Sequence, residues 1–242
     1  MLYVLSPAKS LDYQTPAADH ALAAATTPPF LPRSAELIGL LRAHTPAQIA
    51  ELMSLSAPLA ELNVARYKAW SRRATLRNSK PAVLAFDGDV YGGLQAPTLS
   101  PADLRWAQQH VAILSGLYGV LRPLDRLQPY RLEMGTRLPN AHGKDLYAYW
   151  GDTLAEHLNA RAEADASPVI VNLASQEYFR AAERKVLRPR VVECVFEDWK
   201  GGRYKVISFF AKRARPDGAA CDHETHRHAG RPEAFRRRRL RF

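Results

Sequence analysis

Cysteine is nearly absent from this chain, which has only Cys194 and Cys221 among its 242 residues. Neither a disulfide framework nor a cysteine-based metal site has support, so stability must come from an apolar core. Long apolar runs are also missing, and stretches such as 191–196 are far shorter than the roughly 20 residues that cross a bilayer. No charged segment leads into an apolar stretch at the N-terminus. We therefore expect a cytoplasmic protein without a membrane segment.

Acidic residues are scarce relative to basic ones. The sequence has 34 Lys and Arg against 24 Asp and Glu, a formal charge of +10. Residues 216–242 hold seven Arg and four acidic residues, a net charge of +3, which leaves +7 for residues 1–215. The surplus indicates an anionic partner such as nucleic acid, although a solvated basic surface explains it nearly as well.

Strand-like and helix-like segments alternate along the chain. Helices are predicted to start at Ser34, Thr45, Ser56, Ser100 and Ser175, with the helix from Ser100 reaching Leu114, and another follows 143–152. An irregular loop is predicted over 8–32, and strands over 1–6, 81–86, 169–173, 191–196 and 204–210. This alternation predicts the α/β class, as one mixed α+β domain.

The run Leu114-Ser-Gly-Leu-Tyr-Gly-Val-Leu-Arg-Pro-Leu-Asp125 carries two closely spaced glycines after a predicted helix. This pattern is typical of a helix-hairpin-helix, in which Gly116 and Gly119 let the backbone approach a DNA phosphate. Arg122 and Arg131 would pair with phosphates. On the pattern alone, a plain helix C-cap followed by a tight turn is the favoured explanation of the glycines, and a proline soon afterwards shortens any second helix.

Lys9 and Ser10 come directly after the opening strand, where a cation and a hydroxyl could contact an anion. The glycines of a P-loop are missing, and a structural turn built on Ser10 or Asp12 is the alternative interpretation.

Asp87 and Asp89 flank Gly88 at the end of a predicted strand. Two carboxylates this close could bind Mg²⁺ or divide acid and base roles. No further ligand is tied to them by spacing, and Asp-Gly pairs are common in ordinary turns.

Two further groups of polar residues follow predicted strands. Lys212, Arg213 and Arg215 would suit a rim that faces phosphate or a charged strand edge that prevents aggregation. Polar residues also lie at a strand-to-helix junction, where the serine could simply cap the helix: Asn172, Ser175, Glu177 and Tyr178.

Together these segments closely resemble the YaaA family of bacterial peroxide stress proteins. The matching stretches are 6–13, 85–91, 114–125, 128–135, 143–147, 171–175 and 207–215. The resemblance implies a protein that limits peroxide damage caused by unincorporated iron. It also implies a mixed α/β fold with a helix-hairpin-helix and a basic cleft that binds double-stranded DNA. The candidate DNA-binding residues are Lys9, Gly116, Gly119, Arg122, Arg131, Lys144, Lys212, Arg213 and Arg215.

The resemblance implies no enzymatic activity and no cofactor, and we expect a monomer. The leading hypothesis is a non-catalytic, DNA-associated stress protein that contacts phosphates. The alternative is an enzyme, or a protein that binds iron or magnesium, with Asp87, Asp89, Lys9 and Ser10 in one cleft.

The match stops after Arg215. Family members continue with Gly-Leu-Met, whereas this chain reads Pro216-Asp-Gly and ends in a run of arginines. Permitted codons read one nucleotide later can restore Gly-Leu-Met-Ala-Arg and a later Phe-x-x-Glu-Gly-Tyr. We therefore predict a domain over 1–215 and an out-of-frame, disordered tail over 216–242.

Overall fold

The computed structural model describes residues 1–163, 168–194, 198–200 and 203–205. Its strands are β1 Leu2–Leu5, β2 Ser10–Leu11, β3 Lys80–Pro81, β4 Phe86–Asp87, β5 Val111–Ser115, β6 Gly119–Leu121, β7 Arg126–Leu127, β8 Val169–Asn172, β9 Arg190–Glu193, β10 Asp198–Lys200 and β11 Arg203–Lys205. Its helices are α1 Asp19–Ala23, α2 Leu31–Arg42, α3 Pro46–Met53, α4 Ala57–Ala69, α5 Ala82–Ala85, α6 Asp89–Leu94, α7 Pro101–His110, α8 Leu146–Trp150, α9 Thr153–Ala162 and α10 Gln176–Phe179, with a 3-10 turn at Ala96–Thr98.

The central sheet has the strand order β6-β5-β1-β8-β9. Strands β5, β1, β8 and β9 run parallel, and β6 pairs antiparallel with β5. The chain passes from β1 to β5 on one side and later to β8 on the other. Crevices suited to ligands form beyond the carboxyl ends of strands where the winding reverses in this way. We call the end of the sheet where the parallel strands finish the carboxyl edge, and the end where they begin the amino edge.

The sheet is the centre of an apolar core that confirms the predicted mixed α/β class. All four residues of β1 are at most 3 % exposed, as expected for a parallel strand covered on both faces. Three helices follow in the predicted order, and Thr45 and Gln48 form the predicted capping box of α3. The start predicted at Ser34 is wrong: α2 begins at Leu31, and the buried Ser34 hydroxyl donates to the carbonyl of Phe30.

Two other predictions are corrected by the structure. The segment 81–86 is buried as expected, but its middle forms the short helix α5 rather than a strand. The amides of Ala82 and Val83 donate to the carbonyls of Asp125 and Pro123, next to the β3–β7 pairing, before the chain turns into α5. The predicted loop 8–32 contains β2 and α1.

Candidate nucleic-acid interface

The segment predicted as a helix-hairpin-helix is a β-hairpin, so that prediction is wrong. Helix α7 ends at His110, and β5 then turns into β6 with Ser115 opposite Gly119. The β-branched residues Val111 and Ile113 favour a strand, and pairing with β1 stabilises it. A short apolar run after a helix has the same hydrophobic pattern whether it continues as helix or turns into strand.

Gly116 and Gly119 are buried, and their role in this structure is close packing. A Cβ atom at position 116 would lie 2.3 Å from the carbonyl oxygen of Leu132. Gly119 has a φ of +69°, and a Cβ atom there would lie 2.8 Å from the Trp150 ring. The indole of Trp150 also donates to the carbonyl of Gly116 at 3.0 Å. These glycines therefore seat the hairpin against α8.

Arg122 lies at the amino edge, because β6 runs antiparallel to β5. Its backbone amide donates to Asp125 Oδ2 at 2.8 Å, and its Nη2 donates to Oδ1 at 3.0 Å. The Thr26 hydroxyl donates to the same carboxylate at 2.6 Å, and the Asp125 side chain is 0 % exposed. We call Arg122, Asp125 and Thr26 the amino-edge clamp. The guanidinium predicted to bind phosphate thus neutralises a buried carboxylate.

Two neighbours of the clamp are also held inside the protein. Arg161 donates to the carbonyls of Gln108, Gln109 and Val111, and burial, together with the charge of Arg122, lowers its pKa to about 10. His157 packs edge-on against Phe30. Burial and then the charges of Arg161 and Arg122 lower the pKa of His157 to about 4, so its ring is neutral at physiological pH.

The carboxyl edge gathers cations in a different arrangement. Lys9 Nζ lies 2.8 Å from Glu133 Oε2, and Arg131 Nη2 lies 2.9 Å from Oε1 of the same carboxylate. Arg66 lies near Arg131; burial first, and then the charge of Arg131, lower its pKa. We call Lys9, Arg66, Arg131 and Glu133 the carboxyl-edge cluster. It holds three cations and one carboxylate, and the Lys9 side chain is 65 % exposed.

Glu133 holds two of these cations in place. Burial alone would raise the pKa of its carboxyl, but hydrogen bonds and charges from Lys9 and Arg131 outweigh burial and lower the pKa below its ordinary value. The carboxylate is therefore ionised at neutral pH. Arg131 uses Nε and Nη2 for this contact, and its Nη1 donates to no acceptor among the described residues.

Buried tyrosines fix the backbone that carries Arg131. The hydroxyls of Tyr130 and Ser115 are 2.6 Å apart, and the Tyr67 hydroxyl donates to the carbonyl of Arg131. The Tyr13 hydroxyl donates to the carbonyl of Leu127 at 2.6 Å. Burial raises the pKa of all three tyrosines, so their hydroxyls stay protonated as donors.

The polar residues after β1 and β8 mainly join loops to one another. The backbone amide of Ser175 donates to the Ser6 hydroxyl at 2.8 Å. Ser175 directly precedes α10, but its side chain does not cap the helix. The Asn172 amide donates to both carboxylate oxygens of Glu193, and the amide of Gly135 donates to Glu177.

The residues of the alternative hypothesis come only partly together. Ser10 pairs with Asp87 across β2 and β4, and Gly88 lies against Ala8, where a Cβ atom would be 3.2 Å from the alanine Cβ. Lys9 points its amine to Glu133 instead. Within the described ranges, no group of three or more His, Cys, Asp or Glu side chains is placed to hold a metal ion.

The remaining predicted positions lie apart from the cluster or outside the described residues. Lys144 is exposed just before Asp145, which caps α8 by accepting from the amide of Ala148. Lys212, Arg213, Arg215 and the whole tail 216–242 lie outside the described residues. Among the helices that are described, none is long and apolar enough to span a bilayer.

Sequence reasoning missed Arg66 and Glu133. A signal for Glu133 existed: apolar and charged side chains alternate over residues 130–134, which in an extended segment places Arg131 and Glu133 on the same side. Arg66 lies in a different helix, and nothing in the local sequence connects it with Arg131.

Comparison with known proteins identifies the family. The sequence model described as peroxide stress protein YaaA matches residues 1–238. The chain belongs to this family.

Close relatives of this YaaA family member include proteins described only as UPF0246 proteins. One from Variovorax paradoxus is 66 % identical over 218 residues, which is 89 % of this chain and 83 % of the relative. Another, from Leptothrix cholodnii, is 65 % identical over 215 residues, 89 % of this chain and 82 % of the relative. The relative from Aromatoleum aromaticum is 64 % identical over 219 residues, with 89 % and 83 % covered. The domain boundary at residue 215 stays a prediction.

Proposed function

We propose that this YaaA family protein binds double-stranded DNA through its phosphates at the carboxyl-edge cluster and thereby limits iron-dependent damage during peroxide stress. The observation that carries the proposal is the sharing of one carboxylate, Glu133, by Lys9 and Arg131, with Arg66 nearby. This leaves the cluster with surplus positive charge at a sheet edge where crevices form.

The donors of the cluster suit phosphate. The Lys9 ammonium has three N–H donors and a largely exposed side chain, so a phosphate can replace water around it without breaking its pair with Glu133. Arg131 offers its Nη1 group in addition to the N–H groups that face the carboxylate. Charge-assisted bonds of this kind position a protein on DNA but do not read bases. Binding is therefore expected to be nearly independent of sequence.

Phosphate binding offers a physical link to peroxide stress. A protein that neutralises phosphates releases the counterions condensed on DNA, and Fe²⁺ can be one of them. Displaced iron no longer reduces peroxide beside the sugar-phosphate backbone. Protection of this type needs neither a catalytic residue nor a resident metal, and it grows with the fraction of DNA covered.

The test is a titration of a fluorescent duplex by anisotropy over a range of salt concentrations. We expect the logarithm of the affinity to fall linearly with the logarithm of salt, and Arg131→Gln to reduce that slope by about 0.9 and the affinity by roughly five- to tenfold near 0.1 M salt. Arg190→Gln is the matched control, because Arg190 is exposed at the start of β9, on the amino edge.

A nicking assay with Fe²⁺ and hydrogen peroxide on plasmid DNA tests the protective part. Wild-type protein and Arg190→Gln should protect the plasmid, whereas Arg131→Gln should protect it less at the same concentration. Absence of duplex binding at low salt would contradict the proposal. Equal affinities for Arg131→Gln and the control would show that the carboxyl-edge cluster does not contact the DNA.

A further inference from the structure

A loop next to the carboxyl-edge cluster carries an unusual combination of side chains. Residues 71–79 connect α4 to β3, and we call them the arginine loop. Arg72, Arg73 and Arg77 are exposed, and Leu76 between them is 59 % exposed. A single exposed leucine is ordinary on a protein surface. An exposed leucine among three exposed arginines on an ordered loop calls for a more specific explanation.

Hydrogen bonds fix the shape of the arginine loop. Asn78 Oδ1 accepts from the amide of Thr75 at 2.7 Å and from its hydroxyl at 3.2 Å, while Asn78 Nδ2 donates to the carbonyl of Arg73 at 3.1 Å. The Ser79 hydroxyl donates to the carbonyl of Thr75 at 2.6 Å. Because this turn is already formed, a ligand that contacts its tip would pay little conformational entropy.

Both ends of the loop are tied to the segments that carry the cluster. The Gln128 side chain accepts from the amide of Ser71 at 3.1 Å and donates to the carbonyl of Ser71 at 2.6 Å, three residues before Arg131. At the other end, Lys80 Nζ donates to the carbonyl of Asp12 at 2.9 Å, three residues after Lys9. The loop is therefore anchored at both ends to the segments that carry Lys9 and Arg131.

The three arginines differ from Lys80, the cation that directly follows the loop. Lys80 is buried and donates to two carbonyls and a carboxylate. By contrast, the guanidinium groups of Arg72, Arg73 and Arg77 have no ion-pair or hydrogen-bond partner among the described residues. Three exposed guanidinium groups without an internal acceptor suit a polyanion such as DNA.

The geometry points to the arginine loop as a second DNA contact, in which Leu76 enters the minor groove and the three arginines contact the flanking phosphates. This inference deepens the proposed function and rests on it. Minor-groove architectural proteins likewise combine basic side chains with an apolar side chain that wedges between base pairs and kinks the duplex. The cluster would hold the backbone while the loop bends it.

The experiment measures duplex bending by energy transfer between dyes at the two ends of a short duplex, together with affinity by anisotropy. We expect wild-type protein to shorten the end-to-end distance. Leu76→Ala should lose most of this change while its affinity falls by less than about threefold, since the phosphate contacts remain. Leu59→Ala, at a leucine that is 40 % exposed on α4, is the matched control and should bend DNA normally.

The combined variant Arg72→Gln, Arg73→Gln and Arg77→Gln tests the phosphate contacts. We expect its salt slope to fall by about 0.9 for each phosphate that the variant no longer neutralises, and so by up to about 2.7. Thermal unfolding and far-UV circular dichroism of each variant should match the wild type, because substitutions of exposed side chains usually change stability little.

The outcomes separate the inference from the proposed function. If Arg131→Gln weakens binding but the loop variants bind and bend DNA like the wild type, the inference is overturned and the proposed function stands. If the wild-type protein binds no duplex, both are overturned. Binding of vesicles containing phosphatidylserine that depends on the loop arginines, with no effect of these arginines on duplex binding, would assign the loop to membranes and overturn the inference.

Discussion

The amino and carboxyl edges of the central sheet both carry cations, but they use them differently. At the amino edge, Arg122 neutralises the buried Asp125, and Arg161 donates to backbone carbonyls. At the carboxyl edge, Lys9 and Arg131 share Glu133, and Lys9 is largely exposed. Arg122 offsets a carboxylate with no exposed surface, whereas Lys9 and Arg131 share one carboxylate, so a net positive charge remains at the carboxyl edge.

The difference shows why a count of basic residues is a poor guide to a binding surface. Arg122 and Arg131 are nine positions apart, both are candidates for phosphate contact in the sequence, and Arg122 is the nearer to the two glycines. Their acceptors separate them: Arg122 faces a carboxylate with no exposed surface, and Arg131 faces one that is 22 % exposed and already paired with Lys9. Substitutions at the two edges should therefore change different properties of the protein.

The largest effect is expected from Asp125→Ala at the amino edge. Removing this buried carboxylate leaves the Arg122 amide and the Thr26 hydroxyl without their acceptor, and each donor left unpaired costs about 1 to 3 kcal/mol in the free energy of unfolding. Urea denaturation measures that loss. Glu61→Ala, at an exposed carboxylate on α4, should change stability by less than about 0.5 kcal/mol. A similar stability for Asp125→Ala and Glu61→Ala would show that the clamp does not stabilise the fold.

A smaller effect is expected from the protonation of His157 near the clamp. Its pKa in the folded protein, about 4, lies below its ordinary value of 6.5, so the folded protein binds fewer protons than the unfolded chain between these values. Stability should be full above about pH 6.5 and fall by about 1 to 3 kcal/mol as the pH drops to about 4.

Replacing the histidine isolates this contribution. His157→Phe keeps an aromatic ring against Phe30 but cannot titrate, so its stability should fall less than that of the wild type over the same pH window. Urea denaturation at several pH values provides the comparison. Equal losses for the two proteins would mean that His157 is as easily protonated in the folded protein as in the unfolded chain.

Much of the fold could be predicted from local patterns. The apolar run of β1, the capping box of α3 and the strand-to-helix alternation each have a local signal, and each was recognised. The hairpin β5–β6 could not be recognised in this way, because its strand character depends on pairing with β1, more than a hundred residues earlier. The two glycines had the right flexibility for a turn, but the positive φ of Gly119 and the close packing of both glycines depend on α8 and on Leu132.

The site was predicted only in part, for a related reason. Lys9 and Arg131 were identified as cations close to polar turns, and the structure brings them to one carboxylate. Which acceptor each cation meets depends on tertiary contacts, so Glu133 and Arg66 were missed. Arg122 had a local warning: an aspartate three residues later, in a turn, is well placed to accept from it.

The comparison between the edges is tested most directly by Glu133→Gln. This change removes the only carboxylate of the carboxyl-edge cluster and leaves its three cations in place. Because the pair is partly exposed, the loss of stability should not exceed about 1 kcal/mol.

The measurement is the affinity of Glu133→Gln for a fluorescent duplex near 0.1 M salt, compared with that of the wild type and of Arg131→Gln. We expect changes of opposite sign: affinity roughly five- to tenfold higher for Glu133→Gln and lower by a similar factor for Arg131→Gln. Unchanged or weaker binding by Glu133→Gln would contradict it.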